Sequence, residues 1–95
     1  MRKFKIKQGL TVYRMTAYNC AQIFHGPGLC DFCAQQTLSG YYIAVLNCYY
    51  CSKCYQDWKK RAVFYEEDTA FEQRRINEID SAIKELNIPC EVEEV

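Results

Sequence analysis

Two matched cysteine pairs, Cys30-Asp31-Phe32-Cys33 and Cys51-Ser52-Lys53-Cys54, stand 17 residues apart. Two cysteines at this separation, in a tight knuckle or in the first turn of a helix, can put both sulfurs on one ion. Two such pairs supply a tetrahedron, the pattern of a four-thiolate zinc site. A chain of 95 residues has little apolar core to spare. A structural zinc contributes about 10–16 kcal/mol of apparent binding free energy at pH 7. That matches the net stability of a whole domain, about 5–15 kcal/mol. The metal is therefore expected to decide whether residues 28–60 fold.

The other cysteines leave alternatives open. Cys48 lies three residues before Cys51, so it is an alternative ligand, and Cys48, Cys51 and Cys54 form a C-x2-C-x2-C run of the kind that ligates iron–sulfur clusters. Cys51 with Cys54 is the preferred pair, because Cys54 would sit in the first turn of a helix, where the dipole favours a thiolate. A redox role would place a C-x2-C beside a βαβ pattern, which the sequence lacks. Cys20, Cys90 and the sole histidine, His25, read as two core thiols and a loop residue.

Before the cysteines, Phe4 and Ile6 alternate with Lys3, Lys5 and Lys7, and after the turn signal Gln8-Gly9 a second apolar run covers residues 10–15. This predicts a β-hairpin. Residues 16–24 read as a short helix or an irregular connection that ends at His25-Gly26-Pro27-Gly28. Residues 41–46, Asn47 and residues 48–50 predict a second small hairpin between the cysteine pairs. From Cys51 to Leu86 there is no Gly or Pro, and an apolar stripe recurs at Tyr55, Trp58, Ala62, Tyr65, Thr69, Glu72, Ile76, Ile79, Ile83 and Leu86. Its weak patch, Thr69-x-x-Glu72, is also the pattern of a capping box. The segment is thus one long helix or two helices jointed near residues 66–69. One helix over residues 51–86 would reach about 50 Å, so it must bend back or meet a partner. Asn87 and Pro89 stop it, and Ile88, Cys90 and Val92 alternate with Glu91 and Glu93 as a short tail strand. The signs of those glutamates suit pairing with the lysine-rich first strand.

The fold class expected is α+β in one domain over residues 1–95. Residues 1–27 form a hairpin and connection, 28–62 a zinc-finger-like core, 51–86 the helix or helices, and 87–95 the tail strand. A knuckle, a hairpin and a C-x2-C opening a helix resemble the treble-clef zinc fingers. The spacing is similar to that of GATA-type fingers and of the finger in DksA/TraR-like regulators, with the zinc domain of Clp-type unfoldases a looser likeness. The resemblance covers residues 28–62 and implies a fold and a ligand set, not a function. Residues 34–50 hold no Lys or Arg, unlike the basic segment of GATA fingers. The long helical stretch follows the finger, whereas DksA-like proteins carry a coiled coil before it.

Twelve basic and twelve acidic residues give a formal net charge of zero. That weakens a dedicated nucleic-acid role, which needs surplus positive field. The first reading is a zinc-stabilised protein-interaction module whose partner is another protein or a second copy. Tyr41, Tyr42, Tyr49, Tyr50 and Tyr55, with Ile76, Ile79, Ile83 and Leu86, are its candidate contacts. The alternative is nucleic-acid binding through Lys53, Lys59, Lys60 and Arg61, which lie among aromatics. An enzyme is not expected. Four cysteines close the zinc shell, and neither a nucleophile elbow nor a phosphate-binding glycine loop is present. No small-molecule substrate is expected. With no run of 18 apolar residues and no secretory signal pattern, a cytoplasmic location away from membranes is expected.

Overall fold

The computed structural model describes residues 1–93. Strands β1 (Arg2–Lys5) and β2 (Thr11–Thr16) form the N-terminal hairpin, and helix α1 (Ala17–Phe24) follows directly. Strands β3 (Ser39–Ile43) and β4 (Cys48–Tyr50) form the second hairpin. Helix α2 (Ser52–Arg61), a single 3-10 turn (Glu66–Asp68), helix α3 (Thr69–Glu85) and strand β5 (Glu91–Val92) complete the chain. One five-stranded sheet has the order β4-β3-β2-β1-β5. Neighbours are antiparallel except β5, which lies parallel to β1 with Arg2 opposite Glu91. The α+β class is as the sequence predicts. Among the described residues no helix is long and apolar enough to cross a membrane.

Period-two alternation assigns the core. On one sheet face Val12, Ile43 and Tyr50 pack with Ile6, Leu10, Tyr55 and Trp58, so α2 covers that face. On the other, Tyr13, Met15, Tyr42, Ala44 and Tyr49 pack with Cys20 of α1 and with Ile76 and Ile79 of α3. Gly40 in β3 is required by this packing: a Cβ there would lie 2.5 Å from the Tyr50 carbonyl oxygen and 2.8 Å from the Tyr49 ring. The N-terminal hairpin turns at Gly9, at φ +86°, as the Gln8-Gly9 signal requires.

Local chemistry fixes the helix ends. The Thr16 side chain accepts from the Asn19 N–H and starts α1. At the end of α3, Ile88 N–H donates to the Ile83 carbonyl and Asn87 N–H to the Lys84 carbonyl, with Asn87 at φ 55°. This is a Schellman stop, and Pro89 follows it. The region 51–86 is two helices, not one. Ala62 leaves the helix with extended backbone after the cations Lys59, Lys60 and Arg61, which complement the helix C-terminus.

Two sequence expectations need correction here. The Thr69/Glu72 capping box does not form: the N-cap of α3 is Asp68, and no side chain caps it. Glu72 instead is buried and accepts the Thr11 N–H at 3.0 Å. A buried amide left without its acceptor costs about 1–3 kcal/mol. Glu72→Ala is therefore expected to lower stability in urea unfolding by about that amount, Glu72→Gln to recover most of it, and Thr69→Ala to cost much less. The charge pairing that suggested the tail strand is also different in detail. Arg2 Nε meets Glu93 at 3.3 Å, while Lys3 Nζ turns to Asp80 of α3 at 2.8 Å.

Candidate metal centre

Cys30 and Cys33 sit on a turn tied down on several sides. Ala34 N–H donates to the Cys30 carbonyl at 2.8 Å, and Cys30 N–H to the Gln35 carbonyl at 3.0 Å. Ala34 adopts φ 61°, the left-handed conformation that closes the knuckle. Asp31 locks the knuckle to the sheet edge. Its N–H donates to the Tyr49 carbonyl, and its carboxylate accepts the Tyr49 N–H, both at 2.8 Å. Asp31 thus also occupies the outer edge of β4. Sequence reasoning missed this role, because an acid between two cysteines carries no pattern of its own.

The second pair comes from the other side. Cys51 is the N-cap of α2, makes no side-chain capping bond, and leaves Cys54 in the first turn. The hairpin β3–β4 delivers that helix start directly over the knuckle. The Sγ atoms of Cys30, Cys33, Cys51 and Cys54 all lie within 4.8 Å of one another, and Cys33 Sγ is 3.8 Å from Cys51 Sγ. A tetrahedron of thiolates bound at about 2.3 Å has sulfur–sulfur edges of about 3.8 Å. The four preferred cysteines are therefore brought together in a set that can hold a metal ion.

The electrostatics fit the same use. Burial pushes the Cys30 thiol up, but backbone groups of Cys33, Cys51 and Phe32 hydrogen-bond to it and bring it down to about 6. Cys54 is pushed well above the ordinary thiol value by burial and by the sulfurs of Cys51, Cys33 and Cys30. One thiolate among four close sulfurs resists the ionisation of the next. A bound dication reverses that logic and deprotonates its ligands.

The remaining candidates fall elsewhere. Cys48 is outside the cluster, and its thiol points to the Leu46 carbonyl at 3.3 Å, so the C-x2-C-x2-C reading is not supported by geometry. Cys20 is buried in the core, and His25 is the exposed left-handed cap of α1. Tyr42, Tyr49 and Tyr50 were expected as contact residues, yet they are buried side chains of the chain's own core. Tyr55 is buried as well, and Tyr41 is half-buried and stacks on it at 3.9 Å. Ile76 and Ile79 are buried against the sheet with Ile83 packed beside them, while Leu86 stays exposed. The physical reason is the helix break: once α3 folds back, the apolar stripe finds its partner in this chain. Lys53 lies in the first turn of α2 and Lys59, Lys60 and Arg61 in the last, at opposite ends of a helix about 15 Å long.

Comparison with protein-family models, curated proteins and solved structures finds no match to this chain.

Proposed function

We propose that Cys30, Cys33, Cys51 and Cys54 hold one structural zinc ion in a treble-clef-like unit, and that the chain acts as a protein-interaction module built on it. The sulfur geometry carries the metal half of this reading: a compact set of four thiols, two from a knuckle and two from a helix start. Tetrahedral sulfur coordination suits zinc or iron, and a single mononuclear shell with Cys48 outside it favours zinc. Four thiolates leave no open coordination position, so the reading assigns no catalysis. All seven cysteines are free, which suits a reducing cytoplasm.

The interaction half is supported by apolar side chains that the fold leaves in solvent, among them Tyr18, Phe32, Leu38 and the run Val63, Phe64 and Tyr65. Nucleic-acid binding has weaker support. Lys59, Lys60 and Arg61 stand where a helix C-terminus favours cations in any case, and Lys53 is at the far end of the helix. A steep salt dependence of binding to oligonucleotides would be the mark of that alternative.

The test is metal content and absorption of protein purified without added metal. One zinc per chain with no visible band is expected. Iron with a broad visible band would replace zinc by iron. A folded protein without metal would overturn the reading.

A further inference from the structure

Between α2 and α3 the chain carries an arrangement that the metal site does not use. Helix α2 ends in three cations, Lys59, Lys60 and Arg61. Residues 62–65 then run as a strap with extended backbone at both ends, Ala62 at φ −65° and ψ 135°, Tyr65 at φ −119° and ψ 127°. Three anions follow, Glu66, Glu67 and Asp68. In the strap Val63 is 56% exposed, Phe64 48% and Tyr65 53%. Among the described residues no backbone–backbone hydrogen bond engages the N–H of Val63, Phe64 or Tyr65. Such a segment presents backbone donors to a second chain, as a strand edge does.

Beside the strap lies a shallow groove of about 250 Å³, lined by Leu10, Leu46, Trp58, Val63 and Tyr65 among others. Phe64 is not part of that lining. The strap therefore carries both a cavity and, between the two residues that line it, an exposed aromatic knob.

We propose that this strap is a self-complementary interface that pairs two copies of the chain about a twofold axis. The order of charges decides the occupant. A nucleic acid or an acidic peptide would be repelled by Glu66, Glu67 and Asp68. A basic peptide would be repelled by Lys59, Lys60 and Arg61. A second copy running antiparallel meets neither problem, because reversal exchanges the ends and sets three cations of each copy against three anions of the other. Pairing centred on Phe64 places the two Phe64 side chains opposite each other and each Val63 opposite Tyr65 of the second copy. Residues directly opposite in an antiparallel pair share a face, so the two Phe64 rings meet on one side of the pair, and the two grooves, lined by Val63 and Tyr65, lie side by side on the other. The contact is isologous, each copy giving and receiving the same elements. The inference rests on the module reading and names its partner.

The test is sedimentation velocity of the zinc-loaded full chain over a range of concentrations and salt. A reversible dimer that weakens as salt rises is expected. K59E/K60E/R61E alone and E66K/E67K/D68K alone are expected to be monomers, and their equimolar mixture to form a heterodimer. Phe64→Ser is expected to weaken the wild-type dimer by about tenfold or more. Zinc content of each variant reports that it has folded, and Phe64→Ser serves as the test if a charge variant loses its metal. A zinc-bound wild type that stays monomeric overturns the dimer and leaves the module reading standing. So does a dimer indifferent to Phe64→Ser and to both charge reversals. A folded wild type without zinc overturns the module reading instead.

Discussion

Serine in place of Cys33, the exposed thiol of the four, is expected to unfold the cysteine-bearing half of the chain as fully as serine in place of Cys30, which is buried. Burial alone predicts the opposite order. Truncating a buried thiol opens a cavity or strands a hydroxyl, whereas changing an exposed one costs little, within about 0.5 kcal/mol. Only a shared ion makes the two equivalent, because loss of any ligand removes most of a binding free energy of about 10–16 kcal/mol. That loss is as large as the net stability of a typical domain, about 5–15 kcal/mol. Cys51→Ser and Cys54→Ser should behave alike, and Cys48→Ser should not.

Trp58 reports the outcome without a label. It is the sole tryptophan, it is buried, and it packs in the core that also holds Cys30, Cys54 and Tyr55. A strong chelator is expected to shift its emission to the red as that core opens, and added zinc to restore it. Emission unchanged in the presence of chelator, together with a native Cys33→Ser variant, would sink the structural-metal reading.

The parts of this molecule that were legible in the sequence are those set by local chemistry. The C-x2-C spacing announced the four thiols, and the structure brings all of them together. Alternation announced the first hairpin, a run of β-formers with Asn47 as its turn announced the second, and Asn47 indeed adopts φ 53° there. The tail strand lies beside β1, as the signs of its glutamates suggested. What was not legible depends on partners distant in the chain. Glu72 matches a capping box as well as any glutamate does, and only the fold could reveal that the Thr11 amide, 61 residues away, needs an acceptor. Asp31 is similar, because its partner lies on a strand whose edge the sequence cannot locate. The tyrosines stayed open between interface and core for a related reason. An amphipathic ring suits an interface or a core, and the fold decides which. The Tyr42 hydroxyl finds Asn47 at 2.7 Å and the Tyr49 hydroxyl the Met15 carbonyl at 3.4 Å, so both can be buried at little cost.

The stripe on α3 allows this distinction to be measured. Ile79 and Leu86 belong to one helical repeat in the sequence, and both would face a partner if the helix were an intermolecular seam. In the fold Ile79 is 3% exposed against Tyr13, Met15 and Tyr42, whereas Leu86 is 42% exposed beyond the end of the helix. Ile79→Ala is expected to lower stability by about 2–5 kcal/mol, the range for removing a buried branched side chain together with the cavity it leaves. Leu86→Ala should cost no more than about 0.5 kcal/mol. Urea unfolding with zinc present throughout gives both numbers. The difference between Ile79→Ala and wild type should hold at every protein concentration, since an intramolecular contact has no concentration term. A penalty for Ile79→Ala that grows with concentration, or equal penalties at the two positions, would show instead that α3 meets a second molecule. Because a helix face that covers the sheet cannot also cover a partner, either result would also overturn the packing of α3 on the sheet.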